Sequence, residues 1–312
     1  MVKRVLQRGR WLCFVAGSVV ASTTMSCAGT SGSDRPQVGV TLLTEAHVFY
    51  QDLKAGLQTA ADSLGIDLHI VAGEWDLARQ TQQVQNFLTL DMDAIVIAPV
   101  NSSGIVSAIS EANELGIPVF TADISADAGE VVSHIASDNV QGGRLLGEFV
   151  AERLRGEGNV AILDQPTVAS VRDRVAGFRE ALDAFPNIRI VAAPAVERGL
   201  RDVAKQKTDN LLAGADNIEA IFGSNDDCAL GALASLDAAG RTDVIVVGYD
   251  ATPEARTAIS SGTLLIADAV QDPVEIGRRT IQSVAAYLRD GTVPALVAVP
   301  VSILTRDSLE AR

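Results

Sequence analysis

Four polar residues come directly after short apolar runs of the sequence, namely Asp123, Asn225, Asp250 and Gln271. Their carboxylate and amide groups can hydrogen-bond to several hydroxyl groups at once. Each of them taken alone could equally be a turn residue or a helix N-cap. Because ligands of open parallel sheets bind beyond the carboxyl ends of the strands, the repetition predicts a polar binding site where these runs end.

The residues that catalysis commonly uses are scarce in this chain. It has three histidines, His47, His69 and His134, and His134 lies within an apolar run, where a structural role is expected. The sequence has no cysteine pair with metal-ligand spacing, no Gly-x-Ser-x-Gly elbow and no phosphate-binding loop. We therefore expect a protein that is not an enzyme and that uses neither a metal nor a cofactor.

The apolar runs alternate with segments of helical periodicity from Val38 almost to the end, which is typical of parallel sheets covered by helices. Strands are predicted at residues 38–43, 66–72, 94–99, 118–122, 131–136, 159–163, 188–193, 220–223, 244–249, 264–270 and 299–304. That number is more than one open sheet usually holds, and 312 residues usually form more than one core. The predicted fold class is therefore α/β, with two lobes.

The first 26 residues have the order of a signal peptide, with basic residues up to Arg10, an apolar stretch and then small residues before Cys27. The sequence Thr24-Met25-Ser26-Cys27 resembles a bacterial lipobox, so Cys27 is the predicted lipidation site and residues 27–37 form the predicted tether. The whole chain has a net charge of −14; after residue 26 it has 21 basic and 39 acidic residues, or −18. Such an anionic body disfavours nucleic acid as a partner.

Several segments resemble the type I periplasmic sugar-binding proteins, and among them the ribose-binding members. They are Gly129 to Val140, Asn225-Asp226 with the apolar run that follows, and Asp243 to Pro253. The resemblance implies two Rossmann-like lobes, joined by three chain crossings, with the ligand in the cleft between them. Residues 38–137 with 272–298 would form the N-terminal lobe, and residues 138–271 with 299–312 the C-terminal lobe.

The same resemblance implies which residues bind the ligand. It places the aromatic pair Phe49 and Tyr50 in the cleft, and the residues at positions that contact sugar hydroxyls are Asp123, Arg172, Asn225, Asp250 and Gln271. Three further positions depart from the ribose pattern: His47 replaces Asn, Ile124 replaces Arg and Glu197 replaces an aromatic residue. Carboxylates accept from two hydroxyls and an arginine donates as a fork, so the set suits a polyhydroxylated ligand. The departures predict a ligand other than D-ribose.

We therefore expect an exported solute-binding lipoprotein that captures a monosaccharide, a polyol or an amino sugar. It would act as a monomer in the periplasm or at the outer face of the cell membrane, and would deliver its ligand to the permease of an ABC importer. The lipid would be its only contact with the membrane. The alternative function is that of a sensor that presents its ligand to a chemoreceptor or a histidine kinase.

Overall fold

The computed structural model describes residues 35–214 and 217–311. The predicted signal peptide, Cys27 and most of the predicted tether lie outside the described residues. None of the helices in these two ranges combines the length and the apolar composition that a membrane-spanning segment needs.

The chain alternates strands and helices, as the sequence predicts. The first part contains β1 (Gln37–Leu42), α1 (Val48–Leu64), β2 (Asp67–Ala72), α2 (Leu77–Thr89), β3 (Ala94–Ile97), α3 (Val106–Glu114), β4 (Val119–Ala122) and β5 (Ser133–Ser137). The second part contains α4 (Asn139–Arg153), β6 (Glu157–Leu163), α5 (Ala169–Leu182), β7 (Asn187–Ala192), α6 (Arg201–Ala213), β8 (Ala220–Gly223), α7 (Asp226–Ala238), β9 (Ile245–Asp250), α8 (Pro253–Ser260) and β10 (Leu265–Val270). The last part contains α9 (Pro273–Asp290), β11 (Leu296–Val299), β12 (Ser302–Thr305) and α10 (Arg306–Glu310).

The strands form two six-stranded sheets, one in each lobe. The strand order is β11-β5-β4-β3-β1-β2 in the N-terminal lobe and β12-β10-β9-β8-β6-β7 in the C-terminal lobe. The only antiparallel pairing within the described ranges joins β10 to β12. In each sheet the strand order reverses beside the first strand, β1 or β6. A crevice opens there at the carboxyl ends of the strands. The predicted fold class of two α/β lobes is confirmed.

The chain crosses between the sheets three times, after β5, after β10 and between β11 and β12. The prediction of one strand over residues 299–304 is wrong, because β11 and β12 belong to different sheets. Pro300 separates them, and a proline has no N–H to contribute to a strand ladder. The apolar character of the run is the same on both sides of Pro300, which is why it looks continuous in the sequence.

Close packing of two helices fixes one wall of the interlobe cleft. A Cβ atom built on Gly143 of α4 would lie 1.9 Å from the carbonyl oxygen of Arg174 in α5. The two helix backbones therefore touch, and a residue with a side chain at position 143 would push α5 away. This close contact helps to position Arg174, which α5 directs into the cleft.

Candidate functional site

A cleft lies between the lobes, and the space between two domains is where small-molecule sites preferentially form. Its lining comes from both lobes and from the crossing after β10. The lining residues are Leu43, His47, Phe49, Tyr50, Trp75, Asp123 and Ile124 from the N-terminal lobe, Gln165, Val168, Ser170, Val171, Arg174, Asn225 and Asp250 from the C-terminal lobe, and Gln271 from the crossing.

The start of α1 contributes two aromatic rings to the cleft. His47 is the N-cap of this helix, and its Nδ1 accepts the backbone N–H of Phe49 at 3.2 Å. The rings of Phe49 and Tyr50 meet edge to face, with centroids 5.2 Å apart. Such aromatic surfaces suit the C–H faces of a sugar ring or a polyol chain.

Asp123 follows β4 in a left-handed conformation, with φ +65°. Its Oδ2 accepts the Tyr50 hydroxyl at 2.8 Å, whereas its buried Oδ1 has no donor among the described residues. Burial raises the pKa of the Asp123 carboxyl to about 6, although the nearby Arg174 and the Tyr50 hydroxyl oppose this shift. Burial and the Asp123 charge also raise the pKa of Tyr50, so its hydroxyl remains a donor. The free Oδ1 is placed to accept a hydrogen bond from a hydroxyl in the cleft.

Arg174 of α5 lines the cleft from the C-terminal lobe. Its Nη1 donates to the carbonyl of Ser224 at 2.9 Å and lies 3.4 Å from Asp250 Oδ1, while its Nε donates to Asn139 Oδ1 at 2.9 Å. Its guanidinium carbon lies 3.9 Å from the centroid of the Tyr249 ring. The residue is only 5% exposed, so these contacts hold a buried cation in one orientation.

Gln271 and Asn225 also contribute to the polar lining of the cleft. Gln271 donates from Nε2 to Asp250 Oδ1 at 2.7 Å, and its buried Oε1 has no partner in the described part of the chain. Asn225 is the N-cap of α7, where its Oδ1 accepts the N–H of Cys228 at 2.8 Å, and it also lines the cleft. The interpretations of Asn225 as a cap and as a binding residue are therefore compatible.

Eight of the ten predicted ligand-binding residues line the cleft, and Arg172 and Glu197 do not. Arg172 lies at the surface, where it pairs with Asp127 and donates to the carbonyl of Pro166. Glu197 is exposed in a short 3₁₀ turn. Arg174, two residues after Arg172, reaches the cleft instead, because positions two apart on a helix point to nearly opposite sides.

The sequence contained a usable signal for Arg174. It lies three and four positions after Val171 and Ser170, both of which line the cleft, and therefore shares their helix face. Trp75 also lines the cleft and is half-buried. It follows β2 in a turn where Glu74 and Trp75 both have positive φ values, 52° and 61°.

The lobes also touch along one edge of the cleft. The Oγ of Ser102, in the loop after β3, accepts the N–H of Ala169 in α5 at 2.9 Å. The N–H of Ser102 donates to the carbonyl of Thr167 at 3.2 Å. Beside this pair, Asp127 of the N-terminal lobe bonds to Arg172 of the C-terminal lobe.

His134 of β5 does not line the cleft. Burial lowers the pKa of His134 to about 4, and its Nδ1 lies 2.9 Å from Thr121 Oγ1. No group of three His, Cys, Asp or Glu residues in residues 35–214 and 217–311 could hold a metal ion.

Comparisons with known proteins agree with a fold of two lobes and a cleft between them. A family model described as a periplasmic binding protein domain matches residues 38–292. The ribose import binding protein of Escherichia coli is 32% identical over 95% of this chain and 98% of its own length. The xylitol-binding protein of Mycolicibacterium smegmatis is 30% identical over 80% of this chain and 72% of its own length.

A solved structure extends the comparison to three dimensions. The ABC transporter solute-binding protein of Bacillus halodurans with bound myo-inositol has a TM-score of 0.82 and 26% identity, covering 90% of this chain and 98% of that one. These relatives are binding proteins and not enzymes. The chain belongs to the periplasmic binding protein family.

Proposed function

We propose that this protein binds a neutral sugar or polyol in its interlobe cleft and delivers it to an ABC importer. The observation that carries the proposal is a pair of buried acceptor oxygens, Asp123 Oδ1 and Gln271 Oε1, which have no donor among the described residues. A buried acceptor without a donor costs free energy, and the hydroxyls of a ligand would supply the donors. The solute-binding names of the relatives support the same function.

The ligand is proposed to differ from D-ribose. Ile124, which lines the cleft, has no hydrogen-bond donor, and Glu197 contributes no aromatic ring. Trp75 supplies an apolar surface at a different place in the cleft. The turn that carries Trp75 is held by Glu74, which accepts from Thr44 Oγ1 at 2.7 Å and from the N–H of Glu45 at 3.0 Å. A different layout of polar and aromatic groups favours a ligand with differently placed hydroxyls.

Titration of purified residues 34–312 with pentoses, hexoses, polyols and amino sugars tests the proposal. Trp75 is the only tryptophan in that fragment, since the other one is Trp11, so its fluorescence reports on the cleft. A ligand detected by calorimetry should also change the Trp75 emission, and Trp75→Phe should remove the optical signal. Absence of binding to every compound would contradict the proposed function, and preference for D-ribose would contradict only the proposed selectivity.

We also propose that Cys27 carries the lipid that holds the exported protein at the membrane. The support is the order of basic, apolar and small residues that ends at Cys27. Replacing Cys27 by Ala should release the protein from the membrane fraction without changing its affinity for the ligand. A wild-type protein found entirely in the soluble fraction of the cell envelope would contradict the lipid anchor and leave the binding function intact.

A further inference from the structure

Two buried carboxyl groups lie behind the part of the cleft that contains Asp250. Asp226 at the start of α7 is 1% exposed, and Asp268 in β10 is 0% exposed. Asp226 Oδ2 accepts the backbone N–H of Thr252 at 2.6 Å, and Asp268 Oδ1 accepts the N–H of Ala251 at 3.0 Å. The two remaining oxygens, Asp226 Oδ1 and Asp268 Oδ2, are buried without a donor from any described group.

These two oxygens face the same small space, beside Gly248 of β9. A Cβ atom at position 248 would lie 2.3 Å from Asp268 Oδ2 and 3.1 Å from Asp226 Oδ1. The two side chains are within hydrogen-bonding reach of each other. Glycine at position 248 leaves the room that lets the two carboxyl groups meet.

Both groups are in surroundings that disfavour a second negative charge. Burial raises the pKa of Asp226 to about 6, and burial together with the Asp226 charge raises that of Asp268 well above its usual value. Asp250, at the end of β9, adds a further negative charge that acts on both, and it is itself paired with Arg174 of α5. The nearest cation of α8, Arg256, donates to the carbonyl of Ala251 at 2.7 Å.

The backbone that these carboxyl groups hold is strained. Asp250 has φ 118° and Ala251 has φ 52°, values that residues with side chains seldom adopt. The N–H groups of Ala251 and Thr252, which follow Asp250 directly, are the ones that bond to the carboxyl pair. The pair therefore supports this turn, together with the hydrogen bond from Arg256 to the carbonyl of Ala251.

We propose that Asp226 and Asp268 share one proton, as an acid and a carboxylate, and thereby position the turn that presents Asp250 to the cleft. The shared proton supplies the missing donor between Asp268 Oδ2 and Asp226 Oδ1 and removes one of two adjacent charges. The two residues are positioning residues that act on the ligand through Asp250. Their relevance to binding rests on the proposed function, whereas the shared proton and the turn can be tested without a ligand.

Three amide variants test the proposal: Asp268→Asn, Asp226→Asn and the double variant. In either single variant the amide oxygen can still accept its backbone N–H, and the amide NH₂ can donate to the remaining carboxylate. In the double variant both amide oxygens are needed by the backbone, so two NH₂ groups face each other without an acceptor. If the two side chains needed only to be polar and of the right shape, the protein would tolerate the double variant as well as either single variant.

Hydrogen exchange of the Ala251 and Thr252 amides in the purified protein, measured at one pH for all variants, is the readout. Each single variant should keep protection factors within about threefold of wild type, and the double variant should lose at least about tenfold. Equal protection in the double and single variants would overturn the shared proton. Loss of protection in both single variants to the level of the double variant would overturn it too.

The pH dependence of stability provides a second measurement. The folded pair keeps a proton that the unfolded chain, with Asp pKa values near 3.9, releases at lower pH. The stability that the retained proton contributes is therefore fully present below about pH 4. It is lost as the pH rises through the pKa values of the pair in the folded protein. The Tm of Asp268→Asn relative to wild type should rise by at least about 3 °C between pH 5 and pH 8. A difference that is constant with pH would contradict the proposal.

Discussion

At the scale of single residues, Arg174 is a buried cation in the lining of the cleft. A buried guanidinium needs a partner for its charge and acceptors for its N–H groups, and here Asp250 pairs with the charge while Asn139 and Ser224 accept from two of the nitrogens. These partners use Nε and Nη1, and Nη2 donates to none of the described residues. Arg174 can therefore donate to a ligand without losing the contacts that hold it.

Replacing Arg174 by Lys should weaken ligand binding at least tenfold and lower the Tm. Lysine keeps the charge, but it cannot stack as a plane on Tyr249 or donate in a fork. The matched control is Arg172→Lys on the same helix, where an exposed pair with Asp127 survives the exchange and affinity should stay within about twofold. The measurement is calorimetric titration of both variants with the best neutral ligand. Similar losses of affinity in the two variants would contradict a specific contact between Arg174 and the ligand.

The sequence predicted the polar ends of the strands well and the helix residues less well. Asp123, Asp250 and Gln271 line the cleft, and their place was predictable because the residue after a strand lies at the sheet edge, whatever the packing of the helices. Choosing between Arg172 and Arg174 instead required the rotation of α5 about its axis. That rotation is set by the contact of Gly143 with the backbone of α5, a long-range contact that no local pattern reveals.

At the scale of elements, α5 has an N-terminus that its own lobe leaves incomplete. Its N-cap residue is Val168, which has no side-chain acceptor, and the first N–H groups of a helix need one. Ser102 of the other lobe provides that acceptor for Ala169. The cap forms only when the lobes are together, so it stabilises the closed arrangement relative to an open one.

Replacing Ser102 by Ala should therefore weaken ligand binding by about fivefold, since an N-cap contributes about 1 kcal/mol and closure would lose this contribution. The control is Ser110→Ala, an exposed serine of α3 far from α5 in the sequence, which should leave the dissociation constant unchanged. Titration calorimetry of the two variants is the measurement. If Ser102→Ala binds as tightly as Ser110→Ala, the cross-lobe cap does not contribute to closure.

The alternation of strands and helices was predictable because parallel strands buried on both faces are apolar throughout, as in β3, β4 and β8, where every residue is buried. The end of the chain was harder to interpret. β11 and β12 are each only four residues long and are divided between two sheets. Their partners lie far away in the sequence, at β5 and β10, so local pattern could not assign them.

At the scale of the whole molecule, three crossings join two lobes that each have their own sheet. Few connections allow the lobes to move as rigid bodies about the crossings, so that a ligand bound by both can hold them together. The body is strongly anionic, with a net charge of −18 after residue 26. In the cleft, Arg174 stands against Asp123 and Asp250, and its charge is already paired with Asp250.

This balance of charge predicts discrimination against anionic ligands. The uronate of the best neutral sugar, or its phosphate ester, should bind at least about a hundredfold more weakly at pH 7.5, because a second anion would be buried beside Asp123 without a free cation. The pKa of Asp123 is about 6, so the residue is mostly ionised at pH 7.5 and mostly neutral at pH 5. The discrimination should therefore decrease at pH 5, where a uronate is still charged, and Asp123→Asn should decrease it at pH 7.5. Calorimetric titrations of the neutral and anionic compounds at both pH values measure this discrimination. A uronate that binds as tightly as the neutral sugar at pH 7.5 would show that the cleft charge does not select the ligand.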